Sequence, residues 1–221
     1  MTSPNAVEKQ AVATVTLGQP RKRGRPARDP VDAASRQKLI RAGLIFLTEK
    51  GYSPVGIDEI LEHAGVPKGS FYHYFKGKAD FGSQLISAYH AFFAAKLDRW
   101  FQDESLTPLD RLRAFVADAE AGMARHEFRR GCLIGNLGQE MGALPEAYRS
   151  QLTDALGDWQ SRTAACLQAA QAAGEIAPHH DTAALAAFFW IGWEGAVLRA
   201  KLERRADPLS TFAEGFFALL T

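Results

Sequence analysis

The sequence predicts an all-α protein, and three observations carry that expectation. Apolar residues recur at three- and four-residue spacings from about Asp32 to the end of the chain. No stretch combines period-two alternation with β-branched enrichment. Glycine and proline fall at the edges of the periodic segments, where helices stop and start.

Residues 1–30 lack apolar periodicity and end in the basic run Arg21-Lys22-Arg23-Gly24-Arg25-Pro26. They read as a flexible arm. The first helix follows, with Leu39, Gly43 and Phe46 beside Ile40, Leu44 and Leu47 in one stripe, and Gly51 is its stop signal. A short helix is expected over 57–63, with Ile57, Ile60, Leu61 and Ala64 inward and Gly65 closing it. Val66-Pro67 leads to a third helix over 68–75, in which Phe71 and Phe75 share a face. Lys76-Gly77-Lys78 breaks that helix, and a long one runs over 79–101. Further helices are expected over 108–127, within the Gly-rich stretch 131–142, and over 145–173, 181–205 and 208–220. The domains are therefore an arm (1–30), a three-helix unit (31–78) and a helical domain (79–221).

The net charge of +1 hides an asymmetry. Residues 1–78 carry thirteen Lys/Arg against seven Asp/Glu; residues 79–221 carry thirteen against eighteen. A basic front on an acidic body points to a polyanionic partner for the front alone. The two cysteines, Cys132 and Cys166, have neither zinc-site nor disulfide-framework spacing. The opening MTSPNAVEKQ lacks the charged-then-apolar layout of a secretory signal. The most apolar stretch, Ala183 to Trp193, is about half the ~20 residues of a spanning helix. A soluble cytoplasmic protein is expected, with no membrane partner. Phosphate-loop, HExxH and GxSxG motifs are absent from the sequence, so neither an enzyme nor a cofactor is expected.

A short helix, a turn and a second short helix make up a helix-turn-helix, whose second helix enters the DNA major groove. With Phe71 and Phe75 pinning the third helix inward, Lys68, Ser70, Tyr72, His73 and Tyr74 lie partly or wholly on its outer face. Such hydroxyls, cation and imidazole suit phosphates and base edges. Tyr72 and Tyr74 could equally be partly buried aromatics. The arm residues Arg21, Lys22, Arg23 and Arg25 could reach phosphates or the minor groove.

The segment GYSPVGIDEILEHAGVPKGSFYHYFKGKADF resembles the N-terminal domain of the tetracycline-repressor (TetR) family over about residues 35–85. The resemblance implies operator DNA as partner. It also implies a helical ligand-binding domain that dimerises through its last two long helices. Its DNA-contacting positions fall on Lys68, Gly69, Ser70, Tyr72, His73, Tyr74 and Lys78. Where many members begin the second helix with a Thr or Ser pair, this chain has Val55-Gly56. A phosphate contact there would have to come from Ser53 or from backbone N–H groups. Further along, EAGMARHEFRRGCLIGNLGQEMGAL and FFWIGWEGAVLRAKLERRADPL resemble the repressors of acrylate-utilisation genes, over about residues 35–220 in all. That resemblance implies an acrylate-like inducer, and target genes that detoxify acrylate formed from dimethylsulfoniopropionate.

A small anionic ligand needs a cation or several donors in a mostly apolar pocket. The candidates are His126, Arg130, Cys132, Asn136, Gln139, Glu140, Trp159, Trp190 and Trp193. The tryptophans could instead be core, Arg129-Arg130 a solvated helix end, and Cys132 a small buried hydrophobe. A reactive Cys132 would need Arg129 and Arg130 to lower its pKa; reversible binding is the default expectation. Small residues Gly192, Gly195 and Ala196 suit close helix approach, either between two subunits or within one. The ligand would act by shifting the long helix that starts at Ala79, so that two recognition helices no longer match successive grooves.

Overall fold

The computed structural model describes residues 30–220; the arm cations Arg21, Lys22, Arg23 and Arg25 lie outside the described residues. Among these residues the chain forms nine α-helices and no strand: α1 (Pro30–Lys50), α2 (Ile57–Ala64), α3 (Lys68–Tyr74), α4 (Lys78–Phe101), α5 (Pro108–Ala124), α6 (Leu133–Gln139), α7 (Ala147–Ala172), α8 (Thr182–Glu203) and α9 (Asp207–Ala218). One 3-10 turn, Met141–Ala143, separates α6 from α7.

The punctuation does what its residues dictate. Gly51 ends α1 at φ +88°, and Gly65 caps α2 at φ 61°, a left-handed conformation that costs glycine nothing. Pro108 opens α5 behind Thr107, whose side chain accepts from the Asp110 N–H. The Asp181 carboxylate accepts from the Ala183 and Ala184 N–H groups and starts α8.

Helices α1–α3 pack around Leu39, Leu47, Ile60, Phe71 and Phe75, each no more than 2% exposed. The rings of Phe71, Phe75 and Phe81 lie 4.7–5.3 Å apart, and Phe81 belongs to α4. Helix α4 is thus part of two cores. Its first turns bury Phe81, Leu85 and Ile86, and its last turns bury Ala94, Leu97 and Phe101. The Tyr148 hydroxyl on α7 donates to the Ala79 carbonyl at 2.7 Å, which ties the start of α4 to the larger domain.

That domain centres on α8. Over 18 residues its mean hydropathy is 1.2, so α8 is long and apolar enough to cross a membrane by length and composition. The sequence-based count, restricted to Ala183–Trp193, understated it. One face of it is core: Phe189, Trp190 and Trp193 are buried against α5, α7 and α9. A side chain at Gly192 would overlap the Phe212 ring, so this small residue serves the α8–α9 contact within one chain. Gly195 faces open space.

Candidate functional site

On the three-helix unit, Lys68, Gly69, Tyr72 and His73 are exposed, while Ser70, Tyr74 and Lys78 are half-buried. Tyr72 is 55% exposed, which decides against a core role for it. Phe71 and Phe75 bury the opposite face, as their spacing requires. Lys68 Nζ lies 2.9 Å from the Asp58 carboxylate, which raises the pKa of the ammonium. Lys78 sits 4.4 Å over the Tyr52 ring and donates to the Ser53 carbonyl, 3.3 Å away; burial lowers its pKa. Two of the backbone N–H groups that could have supplied a phosphate contact before the second helix are already engaged. The Ser53 N–H and the Tyr52 N–H are both taken by the Glu140 carboxylate, at 2.7 and 2.8 Å.

A cavity of about 250 Å³ lies between α4, α5 and α8. Tyr89, Phe92, Phe93, Met123, Trp193 and Val197 give it apolar walls. Lys96, Arg125 and Arg130 bring cations to its lining, with His126 among them; Cys132 is buried and Glu194 half-buried. Lys96 is paired with Asp118 at 3.1 Å, and Arg130 Nε stands 4.0 Å from Glu49 of α1. The His126 and Arg130 side chains approach to 3.5 Å; burial first, then the neighbouring guanidinium groups of Arg130 and Arg125, lower the His126 pKa. Between α5 and α6, Glu127 and Phe128 both adopt positive φ (52° and 53°), a strained turn for non-glycine residues that brings Arg130 to the cavity. Among the described residues, no group of three or more His, Cys, Asp and Glu side chains is placed to hold a metal ion.

Of the expected ligand residues, His126, Arg130, Cys132 and Trp193 line this cavity and the others do not. Trp159 and Trp190 are core: their ring centroids lie 5.1 Å apart, and the Trp190 indole donates to Thr163 Oγ1 at 2.9 Å. Asn136 turns the other way, its amide donating to the Leu47 and Thr48 carbonyls at 2.9 and 3.0 Å. Gln139 is exposed beside a separate small space shared with Asn136 and Lys201. Glu140 grips the loop after α1, as described. The helical spacing of these three residues is real, but it does not bring them to the cavity: Asn136 bonds the end of α1, Glu140 the loop after it, and Gln139 is exposed. The expectation of an activated Cys132 is also reversed. Burial, then the nearby Glu194, push its thiol well above the usual range, and Arg129 is exposed and paired with Glu127. Both cysteines are free thiols.

The structure also reveals how the cavity meets the three-helix unit. The last carbonyls of α1 have no partners within their own helix. Here Thr48 O accepts from Gly131 N–H (3.0 Å), Asn136 Nδ2 and Lys201 Nζ (3.2 Å), all from the larger domain. Gly131 and Thr48 themselves line the cavity. The sequence reading missed Glu140, Asn136 and Lys201 as joints, and Tyr89, Phe93, Lys96, Arg125 and Glu194 as cavity residues.

Two sequence patterns match this arrangement. Residues 39–82 match bacterial regulatory proteins of the tetR family, and residues 108–216 match the tetracyclin repressor-like C-terminal domain. The chain belongs to the tetracycline-repressor (TetR) family. It is similar to the transcriptional regulator AcuR of Cereibacter sphaeroides, 62% identical over 195 residues, which cover 88% of this chain and 89% of that protein. It is also similar to the HTH-type transcriptional repressor DhaR of Mycobacterium sp. strain GP1, 32% identical over 194 residues and covering 88% and 94%. The crystal structure of regulatory protein TetR from Rhodobacter sphaeroides superposes with a TM-score of 0.84 at 62% identity, covering 85% of this chain and 99% of that one. As a TetR-family member the chain is a DNA-binding transcriptional regulator, of a family that is not enzymatic.

Proposed function

We propose that this TetR-family regulator is a cytoplasmic, homodimeric repressor that leaves its operator when acrylate, or a closely related small unsaturated acid, enters the cavity between α4, α5 and α8. One observation carries the reading: Arg130 brings a guanidinium group to the cavity, and the next residue, Gly131, bonds the end of α1. A carboxylate drawn to Arg130 pulls on the same segment that positions the DNA-reading unit. The similarity to AcuR and the resemblance to acrylate-utilisation repressors supply the ligand class. Residues 31–78 are the reader, with Lys68, Gly69, Ser70, Tyr72, His73, Tyr74 and Lys78 facing DNA and the arm cations adding phosphate or minor-groove contacts. Residues 79–221 are the sensor. Phe188, Ile191, Leu202 and Leu219, all on or just beyond α8 and α9 and all exposed, supply the apolar face for the second subunit.

Magnitudes fit a weak inducer. At a best efficiency of roughly 1.5 kcal/mol per non-hydrogen atom, a ligand as small as acrylate binds no tighter than low micromolar. A 100-fold loss of DNA affinity needs ~2.7 kcal/mol of preference for the released state. The test is anisotropy of a labelled fragment from the DNA flanking the protein's own gene, at fixed salt, with acrylate titrated in. Nanomolar binding reversed by micromolar to millimolar acrylate is the expected result. Binding that acrylate leaves unchanged overturns the ligand assignment, and absence of binding overturns the operator. Sensing of electrophiles through Cys132 is the weaker reading, because the thiol is held protonated.

A further inference from the structure

Glu194 stands out among the cavity residues. Among the described residues it is the one carboxylate lining the cavity, set on α8 beside Trp193. It forms no ion pair among the described residues, although Arg130, Lys96 and Arg125 line the same space. Its carboxyl group lies against α6 at Gly135, where any side chain would overlap Glu194 Oε2. The fold therefore leaves room for this group at a position where a larger residue would exclude it. Glu194 and Cys132 also line the small space occupied on its far side by Asn136, Gln139 and Lys201. An ionised carboxylate here, with the Cys132 thiol as its hydrogen-bond neighbour and no cation paired to it, would repel the anionic ligand that Arg130 attracts.

We propose that Glu194 selects the ligand: in its acid form it donates a hydrogen bond to one carboxylate oxygen of a bound small acid while Arg130 faces the other, so the cavity takes up the anion and one proton together. The assignment rests on reading this cavity as the inducer site. The atoms balance simply. The ligand enters as its carboxylate, Glu194 enters the complex as its acid, and the proton comes from solvent when Glu194 was ionised beforehand. No bond to carbon forms or breaks. A hydrogen bond from an acid to a carboxylate is charge-assisted, so it favours the acid over a neutral amide of the same shape.

The groups facing Glu194 are consistent with it being the residue that titrates near neutrality. Burial pushes its carboxyl up to about 7, against a hydrogen bond with the Cys132 thiol that lowers it. From α4, Tyr89 is pushed well up by burial first and then by Cys132 and Glu194, while Lys96, lowered by burial, keeps its partner Asp118. From the α5–α6 connection, Cys132 is pushed well up and His126 is lowered; Arg125 and Arg130 are guanidinium cations. On its own helix, Lys201 is lowered by burial and bonds Thr48 O.

The experiment is calorimetric titration of acrylate into the full chain at pH 6 to 8.5, in pairs of buffers of different ionisation enthalpy, beside acrylamide as the neutral comparison. For the unaltered protein the expected result is uptake approaching one proton per acrylate at pH 8, with affinity falling up to tenfold per pH unit above about 7. Glu194→Gln, which keeps a donor but cannot titrate, should retain acrylate binding, lose the proton uptake and flatten the pH profile. Glu194→Ala should narrow the preference for acrylate over acrylamide at least tenfold. Acrylate binding without proton uptake overturns the role of Glu194 and leaves the cavity reading standing. An unchanged pH profile in Glu194→Gln does the same. No acrylate binding at any pH overturns both.

Discussion

The grip of Glu140 on the loop after α1 can be tested as a coupled pair with Gly51. Alanine at Gly51 meets two problems at once. At φ +88° an L-residue is strained by about 1–2 kcal/mol, and its Cβ would overlap Glu140 Oε1. The carboxylate must then leave the Tyr52 and Ser53 N–H groups it accepts from at 2.8 and 2.7 Å. Charge-assisted bonds contribute roughly 1.5–3 kcal/mol each. Ser53 is exposed, so water replaces much of its share, and we take about 2 kcal/mol for the pair. Gly51→Ala should therefore destabilise by about 3 kcal/mol and Glu140→Ala by about 2. In the double variant the overlap is gone, so it should cost about 3 kcal/mol, some 2 less than additivity demands. Urea unfolding at one fixed protein concentration measures all four proteins. Additive losses, within about 0.5 kcal/mol, would refute the argument that one carboxylate links the two positions.

Four further outcomes are expected. Tyr72→Ala should weaken operator binding at least tenfold while moving the urea midpoint little, because the ring is exposed; anisotropy and unfolding together decide it. Phe71→Ala should cost about 3–5 kcal/mol of stability, since its ring is fully buried among Phe75 and Phe81; a loss under 1 kcal/mol contradicts the packing. Cys132→Ser should leave acrylate release of DNA intact, and a lost response would revive the thiol. The Glu194 carboxyl, raised from 4.5 to about 7, keeps its proton in the folded protein where the unfolded chain has lost it. Its contribution to stability is therefore full below about pH 4.5 and is lost as pH rises through 7. Glu194→Gln should flatten the fall in urea midpoint over that window.

The helices of the DNA-reading unit were legible because short-range chemistry sets them: Gly51 and Gly65 at the stops, Phe71 and Phe75 one turn apart. The cavity was only half legible. Asn136, Gln139 and Glu140 do share a helical face, but periodicity says nothing about what that face meets, and the docking of α6 on α1 decides it. Trp159 and Trp190 follow the same logic, since a large apolar ring fits a core or a pocket equally well. Helix α4 was read as the helix the ligand shifts, with none of its residues named as pocket wall, although Tyr89, Phe93 and Lys96 at i, i+4 and i+7 already marked one face. Glu194 had a signal too, as the carboxylate that interrupts the most apolar run in the chain.

The joint at Thr48 has a consequence for anyone who would exchange parts between regulators of this family. A cut at residue 78 severs the chain where α4 begins, but the carbonyls ending α1 are satisfied by Gly131, Asn136 and Lys201, and the loop after them by Glu140. A foreign reader grafted onto this sensor inherits donors and an acceptor aimed at its first helix. The transplantable unit is therefore discontinuous in sequence: residues 31–78 travel intact only with the few sensor residues that hold them.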